Sequence, residues 1–438
     1  MNKDKKHIIF ITSAVALLFL VLLIVWFLGH TKKAPTVVEG QGGVVISGEA
    51  APDVTPGSLG QSDARGKTGT ASPAGKEPLF KQLSTIPVAG TTFVIKDGKN
   101  YVRYVASENG HIYDVDPATG TTDEITNTTF AHGVTEALFL DHGESVIMRY
   151  AERNAADSDD VIKTSLGHLD GDHVRGAFLP DGITAVAVSP DGNGFVYLQP
   201  DETGGVLGIF HDLNTSSESL VFRHTFREWV PQMLEGGDIL FTTKASADVS
   251  GFSYLYNMSS KAMVRLFREK NGLMVNASPD GQYALFTENI FGETYSSLYA
   301  RAGIGGDEGL SNNTENLSIM TIPEKCAWTK GATALYCGTF TPARGVVIPD
   351  SWYKGSASVQ DRFSVIDPST RVITLLADPE VAVKRDFDVT LPAIASDASY
   401  FSFVNKDDGF LWSLRVEIPK ESATPLTNEE KRDSAGSE

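Results

Sequence analysis

The sequence predicts an all-β fold, a seven-bladed β-propeller, preceded by one N-terminal transmembrane helix. Three observations predict it: a repeated pattern of short strands between residues 100 and 418, tight-turn motifs at corresponding places in the repeat, and one uncharged apolar run near the N-terminus. Together they divide the 438 residues into a membrane anchor, a linker, a propeller and a tail.

The repeat is clearest in the third strand of each unit, which often carries a Leu-Tyr pattern. Successive third strands lie about 43 to 50 residues apart, with one longer interval before the sixth. A period of about 40 to 50 residues with several short strands is typical of propeller blades, because packing sheets around one axis buries both faces of each. The predicted third strands are residues 111–113, 161–163, 207–209, 254–256, 297–299, 362–364 and 411–413.

Two identical tight turns indicate how the strands pair. Ser suits the first position of a type I turn, Pro presets φ at the second, and Gly suits the fourth. Each turn is expected to join a hairpin, residues 185–188 with 195–198 and residues 274–277 with 283–287. The turn residues are Ser189, Pro190, Asp191, Gly192 and Ser278, Pro279, Asp280, Gly281.

The turns, each followed by an aromatic-ended strand and a Leu-Tyr strand, resemble the WD40-like repeat PD40 of TolB-type propellers. This resemblance covers roughly residues 80 to 418. The layout, with its segments 325–328, 336–337 and 411–415, also resembles uncharacterised single-pass membrane-anchored propeller proteins of small-genome bacteria. The resemblances imply a propeller and a bacterial membrane protein, but no activity.

The apolar run predicts a membrane-spanning signal-anchor helix. Residues 8–28 contain no charge, and 21 residues at a rise of about 1.5 Å make a helix of about 31 Å, which matches the hydrocarbon thickness of a bilayer. A cleaved signal peptide is the alternative, but its apolar region would be shorter, and no clear small-x-small cleavage site follows. We therefore predict a short cytoplasmic segment at residues 1–7, a transmembrane helix at 8–29 and a propeller outside the cytoplasmic membrane.

Low-complexity segments flank the predicted propeller. Residues 30–78 are rich in Gly, Ala, Ser, Thr and Pro, so they cannot build a core and are expected to form a flexible linker. Residues 419–438 have the composition of a disordered tail. The propeller is expected to span residues 79–418. Because its seventh unit supplies three strands, we expect residues 80–88 to supply the fourth.

The acidic composition bears on possible partners. The chain has a formal net charge of −18, and residues 79–418 alone carry −18, because the other segments sum to zero. Such a surface repels phosphate backbones and anionic lipid headgroups, which argues against nucleic-acid binding. A charged surface maintained for solubility is the ordinary explanation, and an acidic patch for a cationic partner is the alternative.

The two cysteines provide a test of strand register. Cys326 and Cys337 flank a predicted turn, and a two-residue loop at Gly331 and Ala332 would place them directly opposite each other. A register two residues different would make them diagonal neighbours on the same face. Directly opposite positions meet the Cα spacing of a disulfide, and an oxidising compartment would allow the bond to form. We predict a disulfide, with two buried reduced thiols as the alternative.

No motif in the sequence predicts catalysis. There is no Gly-x-Ser-x-Gly elbow of an α/β-hydrolase, and no histidine pair has the spacing of a metalloprotease. The segment 169–173 resembles a cation loop but lacks the third acidic ligand and the closing Glu of an EF-hand. We therefore predict no catalytic residue, cofactor or metal.

The longest unit, the sixth, is the place where the sequence most favours recognition. It holds both cysteines and a long insertion, residues 341–361, in which Trp352 and Tyr353 are expected to be exposed. Trp328 and Trp412 are expected to pack between blades. We predict a monomeric, non-catalytic scaffold that binds a protein or an envelope polymer. The alternatives are a glycosidase- or lyase-type enzyme with a channel-centred site and a TolB-like component of an envelope complex.

Overall fold

A computed structural model describes residues 77–127, 133–153, 160–290, 292–300, 314–341 and 346–417. These residues form seven four-stranded sheets, each built from strands that follow one another along the chain, apart from the last. The predicted seven-bladed all-β propeller is therefore confirmed. The predicted transmembrane helix, the tail and nearly all of the linker lie outside the described residues. Within the described ranges, no helix is long and apolar enough to cross a membrane.

The first three blades contain strands β2 to β13. Blade 1 consists of β2 to β5, at Val88–Lys96, Lys99–Ala106, Ile112–Val115 and Thr122–Glu124. Blade 2 consists of β6 to β9, at Val134–Leu140, Ser145–Arg153, Asp160–Asp170 and His173–Phe178. Blade 3 consists of β10 to β13, at Ala185–Val188, Gly194–Pro200, Val206–Asp212 and Ser217–His224.

The remaining blades contain strands β14 to β28 and the N-terminal strand β1. Blade 4 consists of β14 to β17, at Trp229–Met233, Ile239–Thr243, Ser250–Tyr256 and Met263–Asn271. Blade 5 consists of β18 to β21, at Val275–Ala277, Tyr283–Ile290, Glu293–Ala300 and Thr314–Asn316. Blade 6 consists of β22 to β25, at Cys326–Trp328, Leu335–Thr339, Arg362–Ile366 and Ile373–Ala377. Blade 7 consists of β26 to β28 and β1, at Val389–Ile394, Tyr400–Asn405, Leu411–Arg415 and Phe80–Gln82.

Short helical segments connect some of the strands. Two α-helices flank strands β24 and β25 in the sequence. They are α1 at Asp350–Tyr353, before β24, and α2 at Pro379–Val383, after β25. Three 3-10 turns are found at Asp141–Gly143, Glu235–Gly237 and Pro323–Lys325. The last of these leads directly into β22 and positions a lysine described below.

The ring is closed by the N-terminal strand. β1 pairs antiparallel with β28, Phe80 opposite Leu414 and Gln82 opposite Trp412, so it is the outermost strand of blade 7. The first strands of blades 1 to 4 contact one another in order, β22 contacts β26, and β26 contacts β2, which places these strands on the inner ring. The predicted closure by the segment that precedes the first full unit is confirmed, although residue 88 already belongs to β2.

The hydrophobic core lies between the blades. Each neighbouring pair of blades encloses its own apolar cluster, and the seven clusters follow the ring from blade 1 back to blade 1. This arrangement explains why both faces of a blade are apolar, since each face packs against a different neighbour. Trp229 and Trp412 belong to these clusters, as expected for aromatic residues in blade strands. An eighth cluster lies under the insertion of blade 6.

The two Ser-Pro-Asp-Gly turns form hairpins in the predicted register. Val188 lies opposite Phe195, and Ala277 lies opposite Ala284. In each turn the Gly N–H donates to the Ser carbonyl, at 2.9 Å for Gly192 and 2.8 Å for Gly281. Both glycines have a positive φ, 76° and 68°, which explains the residue type at this position.

Candidate functional site

The candidate site is built around the insertion between β23 and β24, which we call the insertion loop (residues 341–361). The structure describes Thr341 and residues 346–361 of this loop, including helix α1. It leaves blade 6 at the same end of the sheet as the β15–β16 and β19–β20 connections of blades 4 and 5. The loop therefore has neighbours from three other blades, and these contacts determine its position.

A fully buried lysine joins the base of the insertion loop to blade 7. Lys325 Nζ lies 2.5 Å from Asp361 Oδ2 and 2.5 Å from Asp388 Oδ1, and all three side chains have no solvent exposure. Lys325 Nζ also donates to the Val389 carbonyl at 3.2 Å. We call Lys325, Asp361 and Asp388 the buried charge cluster. Because its residues come from three separate segments, it ties them to one another.

The prediction that Trp352 is exposed is wrong. Its ring is 6% exposed, and its Nε1–H donates to both carboxylate oxygens of Asp388, at 2.9 and 3.1 Å. The Lys325 and Lys406 ammonium groups lie 5.3 and 4.3 Å from the ring centroid, within cation–π distance. Trp352 thus holds the insertion loop on the propeller. Tyr353 is exposed as predicted, at 42%.

Further hydrogen bonds to Asp388 come from the same loop. Ser358 Oγ and the Val359 N–H both donate to Asp388 Oδ2, at 3.0 and 3.2 Å. Lys406, on the β27–β28 connection, donates to the carbonyls of Trp352 and Ala357. Burial lowers the pKa of Lys406, and repulsion from Lys325 acts in the same direction against the attraction of Asp388.

Asp361 has an unusual environment within the cluster. Burial raises its pKa to about 6, against the opposing attraction of Lys325. Its Oδ2 accepts hydrogen bonds from Lys325 and from the Val389 N–H at 2.7 Å, whereas its Oδ1 is buried without a hydrogen-bond partner in the described part of the chain. A glycine makes room for it, because a Cβ on Gly338 would lie 2.9 Å from the carboxyl carbon of Asp361.

The far end of the insertion loop is attached to blades 4 and 5. Asp350 accepts hydrogen bonds from Ser246 Oγ at 2.9 Å and from the Ala247 N–H at 2.6 Å. Asn289 Nδ2 donates to the carbonyls of Ala247 and Ile348, at 3.2 and 3.1 Å. The three connections therefore meet at one polar junction. Since its residues are far apart in the sequence, no local motif predicted it.

Exposed apolar side chains surround this junction. Val249, Ile290 and Val347 are 59%, 42% and 46% exposed, and each lies within two residues of a group that takes part in the junction. Together with Tyr353 on α1, they form what we call the apolar patch. Scattered surface hydrophobics are ordinary in proteins, but a set held together by partly buried hydrogen bonds on one end of a propeller is typical of a binding surface.

The cysteines lie beside the buried charge cluster. Cys326 and Cys337 are directly opposite each other in the β22–β23 pair and form a disulfide, with a Cα–Cα distance of 4.2 Å. Of the two registers that the sequence left open, the one with opposite cysteines is confirmed. The disulfide packs in the apolar cluster between blades 5 and 6, and it covalently fixes the hairpin that Lys325 precedes.

Other segments singled out from the sequence form ordinary structure. Asp170 to His173 make the tight turn between β8 and β9, where Gly171 has a φ of 65°. In the part of the chain that the structure describes, no group of three or more His, Cys, Asp or Glu residues could hold a metal ion. Residues 303–316, which lead from β20 towards blade 6, lie outside the described residues except for β21 and are not assigned a role.

The similarity of this chain to known proteins lies in its structure. No protein-family model matches the sequence, and no curated protein matches it. An oligogalacturonate lyase in complex with manganese is similar in structure, with a TM-score of 0.53 and 12% identity over 78% of this chain and 94% of that one. TolB from Acinetobacter baumannii has a TM-score of 0.40 and 15% identity over 75% of this chain and 79% of that one.

The tricorn protease is a third structural neighbour. It has a TM-score of 0.47 and 10% identity over 79% of this chain, and this chain spans only 34% of its length. At 12% identity, the similarity to the oligogalacturonate lyase shows the propeller fold alone.

Proposed function

We propose that the chain is a membrane-tethered, extracytoplasmic propeller that binds a protein or a cell-envelope polymer without catalysing a reaction. One observation carries the proposal: the insertion loop is fixed across blades 4 to 7 by buried polar contacts and presents the apolar patch at its surface. A rigid loop on a rigid scaffold loses little conformational entropy on binding, which favours recognition.

The tether and the compartment belong to the same proposal. The uncharged run at residues 8–28 supports an uncleaved anchor, and the disulfide between Cys326 and Cys337 supports an oxidising compartment. The relation to membrane-anchored propellers of small-genome bacteria is also part of it. A role as a TolB-like component of an envelope complex is compatible with this proposal, because such a component is itself a binding protein.

An enzyme of lyase or glycosidase type is the alternative, and one structural neighbour is an oligogalacturonate lyase. Two carboxylates that converge in the described propeller are Asp361 and Asp388, which share Lys325. Their side chains have no solvent exposure, so a substrate could reach them only if the insertion loop moved away. This favours the binding scaffold. Incubation with oligogalacturonate, followed by absorbance of the unsaturated product, tests the alternative directly.

Site-specific photo-cross-linking in the native membrane tests the binding role. A photoreactive phenylalanine analogue replaces Tyr353 in the full-length chain, and a matched variant carries it at Phe178, an exposed aromatic on the outer strand of blade 2. We expect light-dependent capture of one defined partner at Tyr353 and none of it at Phe178. Equal capture at both positions, or none at Tyr353, would contradict a binding role for the apolar patch.

A further inference from the structure

A groove of about 1200 Å³ runs along blade 6, on the side of the blade that bears the disulfide. Its walls are the outer strands β24 and β25, helix α2 and the chain that leads from blade 5 into blade 6. Asp361 of the buried charge cluster is part of its lining. The groove is larger than most small-molecule pockets, which hold about 300–1,000 Å³, and residues of both β24 and β25 line it.

The groove carries carboxylates that the protein itself does not neutralise. Asp378 forms an ion pair with Arg362 at 2.9 Å, and Arg385 forms an ion pair with Asp408. Within the described residues, Glu380 and Asp386 have no Lys, Arg or His within ion-pair distance, and Asp386 accepts only a hydrogen bond from the Gln360 amide at 2.8 Å. Two negative charges are thus available to a ligand.

A second, independent feature points to a hydrogen-bond donor. Asp361 is 3% exposed and lines the groove, yet its Oδ1 has no hydrogen-bond partner among the described residues. A buried acceptor left without a donor costs about 1–3 kcal/mol, and more for a charged group. The Asp361 side chain itself has no solvent exposure, so a donor from the groove would remove this cost only after a shift of the surrounding chain.

The remaining surface of the groove suits an extended peptide. Leu375 and Val381 line it and are 52% and 72% exposed. β25 pairs only with β24 among the described strands, so its outer edge offers backbone donors and acceptors. A peptide that adds to such an edge obtains affinity from main-chain hydrogen bonds and specificity from alternate side chains.

We propose that this groove binds an extended segment of a partner protein in which Lys or Arg residues alternate with aliphatic residues. The basic groups face Glu380 and Asp386, and their stems cover Leu375 and Val381, while the aliphatic groups point to the opposite face of the added strand. The inference rests on the proposed binding function and names the chemistry of the partner. It places recognition in a groove that is distinct from the apolar patch.

Fluorescence anisotropy tests the inference with the full-length chain in detergent. The probe is a labelled eight-residue peptide of alternating Lys and Val, compared with a Glu–Val peptide of the same length. Three variants are compared with the wild type: E380Q/D386N, L375S, and the control D97N/E202Q. The control removes two exposed negative charges from blades 1 and 3 and so changes net charge equally.

We expect saturable binding of the Lys–Val peptide only. E380Q/D386N should weaken it about tenfold, as two ion pairs predict, L375S about fivefold, and the control less than about twofold. An equal loss in the control would mean non-specific attraction to the acidic surface and would overturn the inference. If the peptide fails to bind while Tyr353 still cross-links a partner, the groove is wrong and the proposed function stands. If the peptide binds as expected while Tyr353 cross-links no partner, the apolar patch is wrong and the groove stands.

Discussion

The ammonium group of Lys325 is buried among two carboxylates and two aromatic rings. Attraction between buried charges offsets the cost of removing them from water only when each has its partners. Asp388 fulfils this condition, because its carboxylate accepts hydrogen bonds from Lys325, Trp352, Ser358 and the Val359 N–H. Four donors therefore converge on the Asp388 carboxylate, and three of them come from the insertion loop.

Removing Lys325 should destabilise the propeller strongly. Lys325→Ala leaves two buried carboxylates without their cation, and breaking a buried ion pair in this way costs about 3–5 kcal/mol. Urea denaturation followed by tryptophan fluorescence measures the change in the free energy of unfolding. Lys330→Ala, an exposed lysine five residues away, is the matched control and should have no measurable effect. A similar small effect for both variants would show that the buried charge cluster adds little to stability.

The raised pKa of Asp361 predicts a dependence of stability on pH. The pKa is about 6 in the folded state against an ordinary value of 3.8, so the folded state binds more protons between these values. The contribution of Asp361 to the free energy of unfolding is fully present below about pH 4. It is lost as the pH rises through about 6, and the loss amounts to at most roughly 3 kcal/mol.

Comparison with Asp361→Asn isolates this contribution from those of other groups. Asparagine does not titrate, so we expect the unfolding free energy of the wild type minus that of the variant to fall as the pH is raised from 4 to 7. Denaturant titrations at intervals of half a pH unit measure it. A difference that is constant with pH, or that grows towards pH 7, would contradict a raised pKa at Asp361.

Strand β1 illustrates how an element of three residues can determine the stability of a whole ring. Phe80 is 4% exposed, and its ring lies 5.2 Å from that of Phe363 in blade 6 and 5.5 Å from that of Phe387 in blade 7. The Arg415 N–H donates to the Leu79 carbonyl at 2.9 Å. β1 therefore completes both the last sheet and the apolar cluster between the last two blades.

Truncation of Phe80 tests the closure. Phe80→Ala should lower the free energy of unfolding by about 3–5 kcal/mol, as for other buried phenylalanines, and thermal unfolding followed by circular dichroism should show the lower melting temperature. Gln82→Ala, at an exposed residue of the same strand, controls for the loss of a side chain from β1. If the two variants melt at the same temperature as the wild type, β1 does not hold the ring closed.

Across the molecule, the accuracy of sequence-based prediction depends on the range of the interactions. The strands around Ser189 and Ser278 were predictable in register, because turn geometry is decided by four adjacent residues. For the two cysteines, the sequence left two strand registers open, one with the cysteines directly opposite each other and one with them diagonal. Trp352 was misplaced because its partner, Asp388, lies 36 residues away in another blade. No spacing rule connects the residues of the buried charge cluster, so it could be found only from the structure.

The net charge of the propeller leads to a prediction for the whole molecule. Residues 79–418 carry a formal charge of −18, and like charges at this density disfavour the compact state. Salt screens exposed charges, since the Debye length falls from about 30 Å at 0.01 M to about 3 Å at 1 M. We therefore expect the melting temperature to rise with sodium chloride concentration, by about 2–4 °C if screening contributes about 1 kcal/mol.

Differential scanning calorimetry between 0.01 and 0.5 M sodium chloride measures this rise. A variant with four exposed carboxylates neutralised, D97N/E202Q/E380Q/D386N, reduces the repulsion and should show a smaller rise over the same range. A melting temperature that falls with salt would mean that surface ion pairs such as Lys163 with Asp181, at 2.8 Å, outweigh the excess negative charge. The surface carboxylates would then be held in compensating pairs, and Glu380 and Asp386 would be unusual in having no cation of their own.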